Sequence, residues 1–245
     1  MPRIARVAPG GIVQHAMNRA VARKRLFRSS ADYEAFVNLL AEGTRRVPGV
    51  RLLGYCLMPD HWHLLVLPAK AGELSHFIRW ISTMHVRRMR QRAGAASGDI
   101  YQSRFRNFPV RPDAHLLALL RFIESNPRRD KLVRKSEQWR WSSLRGTKSP
   151  DGRALLSTLP VRRPANWGKI VDAPLEEDLE KQILEAVKRG RPFGDPAWVA
   201  RTASRLGLEF TIRPHGRPRR SPPAEKKPRG KKRRRGKPAK PAKPE

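Results

Sequence analysis

Cysteine and long apolar runs are both scarce in this sequence. Its single cysteine, Cys56, excludes a disulfide framework and a cysteine-rich zinc site. No segment approaches the roughly 18 consecutive apolar residues of a membrane-spanning helix. The first residues also lack the apolar stretch of a signal peptide. We therefore expect a soluble protein of a reducing cytoplasm, without a membrane partner.

Acidic residues are scarce as well, because 21 Asp and Glu stand against 53 Lys and Arg, a net charge of +32. The segment 213–245 holds 15 basic residues, 2 acidic residues and 8 prolines, a composition that predicts a disordered basic tail. The other 212 residues still carry 38 basic and 19 acidic side chains. The folded part is therefore basic in its own right, which favours nucleic acid as the partner and a nucleoid-associated location.

The apolar patterns predict an α+β fold with a ferredoxin-like antiparallel sheet and helices packed on one face of it. Strands are predicted at 10–20, 50–58, 61–68 and within 99–110, and helices at 29–46, 72–94 and 111–133. The last of these helices has Asp113 as its N-cap and is expected to stop before Pro127. The aromatic segment 137–144 is expected to pack back on the sheet.

Three regions follow from this pattern: a domain over 1–150, a helical extension over 151–212 and the basic tail over 213–245. In the extension, helices are predicted at 174–190, ending at Gly190, and at 195–207, with Asp195 as cap. Together they resemble a helix-turn-helix in outline.

The stretch "MPDHWHLLVLP" (58–68) contains two histidines, His61 and His63, in a predicted strand. Side chains two residues apart on a strand point to the same face, whereas Trp62 and Leu64 point to the other. Two such imidazoles can hold one divalent metal if a third ligand, usually oxygen, comes from another element. An ordinary pair of sheet histidines gives the same pattern, so the pair alone leaves both interpretations open.

Four motifs occur in order over roughly residues 4–148: "LMPDHWHLLV", "IYQSRFRNFPV", "LLRFIESNPRRDKLV" and "WRWSSL". This set resembles the REP-associated tyrosine transposases, which belong to the HUH single-strand transposases with an IS200-like domain. The resemblance implies that His61, His63 and Asn126 bind Mg²⁺ or Mn²⁺, which polarises the scissile phosphate of DNA. It further implies a tyrosine nucleophile on the later helix. The implied partners are single-stranded hairpins, such as repetitive extragenic palindromes.

The chain departs from this pattern at the nucleophile, because the family's tyrosine position holds Phe122, which has no hydroxyl. Of the three tyrosines, Tyr33 and Tyr55 lie at predicted packing positions. Tyr101 is a candidate substitute nucleophile, with a packing role as the alternative. The resemblance thus favours an enzyme, while Phe122 leaves activity open.

Basic residues near these motifs are candidate DNA contacts. Arg104 and Arg106 alternate with Phe105 and Phe108, which suits phosphate neutralisation combined with base stacking. The further candidates are Arg128, Arg129 and Lys131. The alternative is that these arginines and lysines are solvated and contact no DNA.

Three functions remain: a metal-dependent DNA strand transferase, a catalytically inactive hairpin-binding protein, and a general basic RNA-binding protein. A monomer and a homodimer are both compatible with the sequence.

Overall fold

The computed structural model describes residues 7–93, 98–147 and 154–213. The predicted basic tail therefore lies outside the described residues, apart from Arg213. In the described part of the chain, no helix has both the length and the apolar character needed to cross a membrane. The contacts group the chain through Ile212 into one compact unit. The proposed boundary near residue 150 stays a prediction.

Within the described residues, four strands form one antiparallel sheet. They are β1 (Gln14–Arg19), β2 (Val50–Leu57), β3 (His61–Pro68) and β4 (Arg106–Pro109). Their order in the sheet is β2-β3-β1-β4. Strands β2 and β3 form a hairpin closed by the Met58 N–H, which donates to the His61 carbonyl at 2.8 Å. This order is the ferredoxin-like arrangement, so the predicted α+β class and sheet are confirmed.

Of the helices in the described residues, five correspond to predicted ones and three short ones were not predicted. They are α1 (Ser30–Arg46), α2 (Glu73–Ala93), α3 (Ala114–Arg129), α4 (Ser143–Gly146), α5 (Trp167–Asp172), α6 (Glu177–Arg189), α7 (Pro196–Leu206) and α8 (Glu209–Ile212). Short 3₁₀ turns occupy Val21–Arg23 and Ser136–Gln138. Helix α6 ends at Gly190, whose φ of 71° lies in the left-handed region. Helix α7 begins at Asp195, whose carboxylate accepts the Trp198 N–H at 2.9 Å. Both predicted helix ends are confirmed.

The prediction that helices cover only one face of the sheet is wrong. Trp62 and Leu64 lie in a core shared with α1 and α2. Leu65 lies in a second core, which contains Leu116 and Leu120 of α3. The reason is that successive side chains of β3 point to opposite faces of the sheet and almost all of them are buried, so both faces require cover. His61 and His63 share the α3 face with Leu65.

Helix α3 also continues past the predicted stop, through Pro127 to Arg129. The Asp113 cap is confirmed, since its carboxylate accepts the His115 N–H at 2.9 Å. A proline removes the bond that its own N–H would donate one turn back, and its ring crowds the carbonyl there, but it does not remove the bonds that later residues donate. Backbone bonds after it hold the last turn, including the Asp130 N–H to the Asn126 carbonyl at 2.9 Å. Asn126 therefore lies on a regular helix rather than at a frayed end.

The aromatic segment 137–144 packs on the edge strand β2, as predicted. The Trp139 indole N–H donates to the Leu57 carbonyl at 2.9 Å, and the Leu57 N–H donates to the Trp141 carbonyl at the same distance. The Trp141 ring stacks on Tyr33 of α1, with 5.0 Å between centroids. The segment thus ties the edge of the sheet to the first helix.

A buried carboxylate, Glu124 on α3, joins the helix to the segments that follow it. It accepts hydrogen bonds from the Ser143 hydroxyl at 2.5 Å and the Trp167 indole at 2.6 Å. Arg163 lies 3.1 Å away as its ion-pair partner. Burial raises the pKa of Glu124, while Arg163 and the two donors oppose that rise. One side chain therefore satisfies three buried or half-buried donors.

We predict that Glu124→Ala lowers the free energy of unfolding by about 3–5 kcal/mol, because it leaves a largely buried arginine and two donors without their partner. Urea unfolding measures this. Glu34→Ala is the matched control, since Glu34 and Arg140 form an exposed pair at 3.2 Å. Its loss is expected to stay within about 1 kcal/mol. Equal losses in the two variants would contradict the structural role of Glu124.

Candidate functional site

A cavity of about 620 Å³ opens between strands β1 and β3, the end of α3 and helix α6. The predicted residues His61, His63, Phe122 and Asn126 all line it. The other lining residues are Met17, Asn18, Arg19, Gln102, Ser103, Arg106, Arg129, Asp130, Glu180, Leu184 and Val187. The structure therefore brings the predicted histidines, amide and nucleophile position to one place.

His61 is oriented by the residue before it. Its Nδ1 lies 2.5 Å from a carboxylate oxygen of Asp60, and Arg19 lies 3.7 Å from the other oxygen. The hydrogen bond to His61 lowers the pKa of Asp60. An ionised carboxylate only accepts, so the His61 Nδ1–H donates to it and Nε2 is the ring nitrogen that is not bonded to Asp60. A carboxylate behind a histidine in this way is a frequent support for metal ligands.

His63 is held from behind by a second histidine, His15 on β1. The His15 Nε2 lies 2.8 Å from the His63 Nδ1. Burial lowers the pKa of His63 far below its usual value and that of His15 to about 3, so both imidazoles are neutral. The rings of His61 and His63 have centroids 5.0 Å apart and are nearly perpendicular. Both can therefore present nitrogen to the same cavity.

Asn126 and Arg129 form the opposite wall. The Asn126 Oδ1 accepts a hydrogen bond from Arg129 at 2.6 Å. Arg129 also forms an ion pair with Glu180 of α6, and its guanidinium lies 4.0 Å from the centroid of the Phe122 ring. An amide oxygen has two lone pairs, so one remains available in Asn126. The wall thus combines one possible oxygen ligand with one cation.

The nitrogen and oxygen atoms of His61, His63 and Asn126 suit a divalent metal that accepts both kinds of ligand. Two imidazole nitrogens and an amide oxygen suit Mn²⁺ better than Mg²⁺, which prefers an all-oxygen shell. Among the described residues, no cluster of three or more histidine, cysteine or acidic side chains exists that could hold a metal. A metal at this site therefore depends on the amide of Asn126 as well as on the histidines.

The structure does not bring Tyr101 to this cavity. Its hydroxyl accepts the Trp62 indole N–H at 3.1 Å and lies 2.7 Å from the His85 Nδ1. Trp62 points to the face of β3 opposite the two histidines, so Tyr101 lies on the wrong side of the sheet. Burial raises its pKa, which opposes formation of a tyrosinate. In the described part of the chain, no tyrosine lines the cavity.

The candidate DNA contacts occupy different surroundings. Arg106 lines the cavity, and the exposed Arg104 borders the two cavities next to it. Phe105 and Phe108 are only 7% and 1% exposed, so the expected base stacking on them is excluded. Their side chains belong to the two cores because β4 and the residue before it are packed on both faces.

The three predicted DNA contacts at the end of α3 lie in different surroundings: they are Arg128, Arg129 and Lys131. Arg129 belongs to the cavity wall, whereas Arg128 is exposed, 3.9 Å from Asp172. Lys131 is exposed and has a φ of 57°, in the left-handed region just after the helix. Only Arg129 of the three contacts the predicted metal ligand.

Two supports of the histidines, His15 and Asp60, were not predicted. Asp60 could have been predicted from the sequence, because it directly precedes His61 in the turn "MPDH". The sequence indicated His15 less clearly. It is a polar residue inside the apolar run "GGIVQHAM", and its role could be interpreted only once the strand register was known. Glu180 lies in a helix that the sequence pattern left unconnected to the site.

Comparison with known proteins agrees with this fold. Residues 11–126 match the family model described as "Transposase IS200 like". A solved structure titled "Structure of the REP associates tyrosine transposase bound to a REP hairpin" has the same fold, with a TM-score of 0.50 at 18% identity. The match covers 68% of this chain and 94% of that one. Among curated proteins, none matches the chain.

We predict that Tyr101→Phe lowers the free energy of unfolding by about 1–3 kcal/mol, because Trp62 and His85 lose a buried partner. Mn²⁺ affinity should not change, since the hydroxyl is remote from the cavity. Denaturant unfolding and Mn²⁺ titration measure the two effects. Tyr33→Phe, which keeps the ring stacked on Trp141, is the matched control. A loss of Mn²⁺ binding in Tyr101→Phe alone would contradict the packing role.

Proposed function

We propose that the cavity is a divalent-metal site for the backbone of single-stranded DNA, because residues 11–126 match the family model described as "Transposase IS200 like". The protein binds hairpin-containing strands and positions a phosphate there. It lacks the tyrosine nucleophile, because Phe122 occupies that position. It therefore acts as a hairpin-binding protein that does not form a covalent link to DNA.

The observation that carries this proposal is the convergence of His61, His63 and Asn126 on one cavity together with Phe122. Sheet histidines without a function would not require an amide from another element opposite them. The fixed Nδ1–H of His61 leaves its Nε2 lone pair available for the metal. When bound, the metal supplies Lewis-acid polarisation of a phosphate oxygen.

The chain's own residues then account for phosphate binding. Arg106 and Arg129 line the same cavity and supply the positive charge that a phosphodiester requires. The Arg129 guanidinium is balanced by Glu180 in the structure, so a phosphate competes with that carboxylate for it. Phe122 offers the cavity only a ring, 6.4 Å from the His63 ring between centroids. A carbon ring has no lone pair with which to attack phosphorus.

The substrate class rests on the family match and on the solved relative of the same fold, whose title names a REP hairpin. A general RNA-binding function would need only the positive charge. It would leave the paired histidines, their supporting partners and Asn126 without a role.

We predict that the unaltered chain forms no covalent adduct with a labelled hairpin single strand and Mn²⁺, whereas Phe122→Tyr does. The substitution restores a hydroxyl beside the predicted metal site, and the nearby Arg129 favours its ionised form. A denaturing gel separates adducts from non-covalent complexes.

The control is the double variant Phe122→Tyr with His63→Gln, in which any adduct that depends on the metal site disappears. Phe122→Leu should resemble the unaltered chain. An adduct formed by the unaltered chain would overturn the assignment of a lost nucleophile. Absence of both Mn²⁺ binding and hairpin binding would overturn the proposed function itself.

We also predict that Arg104→Ala and Arg106→Ala each weaken hairpin binding and reduce the slope of log affinity against log salt by about 1, as expected for one lost phosphate contact. Fluorescence anisotropy over a salt series measures this. Arg46→Ala is the control, because Arg46 lies on α1 and bonds to Glu42 at 2.9 Å. A slope change in all three variants would indicate a general charge effect.

A further inference from the structure

We propose that His15 is a positioning residue that accepts the Nδ1–H of His63 and thereby presents the His63 Nε2 to the metal. This inference rests on the proposed function and deepens it. It assigns a role to a buried histidine on β1 that lies outside the "HWH" motif. With Asp60 behind His61, each of the two histidine ligands then has its own acceptor.

The strand register places His15 behind His63. Met17 is paired with His63 across β1 and β3, and His15 is paired with Leu65. His15 and His63 are therefore diagonal neighbours on the same face of the sheet, within reach of each other's side chains. The 2.8 Å between His15 Nε2 and His63 Nδ1 is a hydrogen bond whose donor depends on the tautomers of the two rings.

Only one of the two possible arrangements permits ligation. If His15 donates from Nε2, the neutral His63 carries its proton on its own Nε2 and cannot bind a metal there. If His63 donates from Nδ1, its Nε2 holds a free lone pair that points away from His15. A ligating histidine usually donates its other N–H to a second group, and His15 is the group at that position.

Packing alone does not account for a histidine at position 15. The side chain is completely buried, and its Nδ1 has no hydrogen-bond partner among the described residues. Its ring lies against Phe108, with 4.6 Å between centroids, in a core that also contains Val13 and Leu65. An apolar residue would fill this position without burying an unsatisfied nitrogen. The contact with Phe108 holds the ring so that Nε2 faces His63.

Two variants separate hydrogen bonding from packing. His15→Phe keeps a ring that can lie against Phe108 but removes the acceptor. His15→Gln keeps an acceptor in the form of an amide oxygen. Both are made in the full chain, and thermal unfolding without metal reports whether packing is preserved.

The first readout is the tautomer of His63, measured by ¹⁵N NMR of histidine-labelled protein before metal is added, with His63→Gln for assignment. We expect the Nδ1–H form in the unaltered chain and in His15→Gln, and a shift towards the Nε2–H form in His15→Phe. The second readout is Mn²⁺ affinity by titration. We expect a loss of about 10–100-fold in His15→Phe, with His15→Gln recovering most of it.

The Nε2–H form of His63 in the unaltered chain would overturn the inference, as would Mn²⁺ affinity in His15→Phe equal to that of the unaltered chain. If His15→Phe does not fold, the NMR result on the unaltered chain still decides the matter. Failure of the proposed function looks different. In that case the unaltered chain binds neither Mn²⁺ nor the hairpin, whatever the tautomer of His63. Unchanged Mn²⁺ binding with the wrong tautomer would instead remove only the role of His15.

Discussion

The antiparallel pairing of β3 with β1 is the contact on which the site depends. It places alternate residues of β3 in two different cores, so that Trp62 packs towards α1 and α2 while His61 and His63 face α3. The same register places His15 behind His63. A shift of one residue would exchange the two faces and put both histidines into the apolar core under α1 and α2. The indole of Trp62 opposes that shift, because it would lose its buried position and its hydrogen bond to Tyr101.

Much of this fold could be predicted from local patterns. The β3 boundaries, the hairpin, the sheet class and the two C-terminal helices follow from apolar periodicity and from helix-ending residues such as Gly190. The packing of α3 on the second face of the sheet could not be predicted, because a strand that is buried on both faces lacks the alternation of apolar and polar residues that indicates which face is covered. The continuation of α3 past Pro127 depends on backbone bonds made after the proline, and no local rule includes them.

The site divides in the same way. His61 and His63 could be placed on one face from their spacing on a strand. The roles of Asn126 and Phe122 came instead from the resemblance of their motif to that of the transposase family. Contacts between segments that are distant in the sequence could not be predicted. His15 reaches His63 across 48 positions of the chain, and Glu180 reaches Arg129 across 51. The aromatic residues Phe105 and Phe108 were misjudged for a related reason. Their alternation with arginine suggested an exposed stacking surface, whereas each packs into a core that other segments create.

The charges around Phe122 explain how a cationic side chain is tolerated in a half-closed cavity. Arg129 stacks on the aromatic face, where the ring quadrupole attracts a cation, and Glu180 neutralises it from α6. It also donates to the side-chain oxygen of Asn126 and to the Phe122 carbonyl. Under the proposed function, a phosphodiester competes with these partners for the guanidinium. Helix α6 is therefore part of the site, since its carboxylate determines how strongly Arg129 is held before an anion arrives. The fold places the cation, its counter-charge and a ring without a hydroxyl beside the same two histidines. Under the proposed function, chemistry depends on whether residue 122 carries a nucleophile, because the other groups bind and orient.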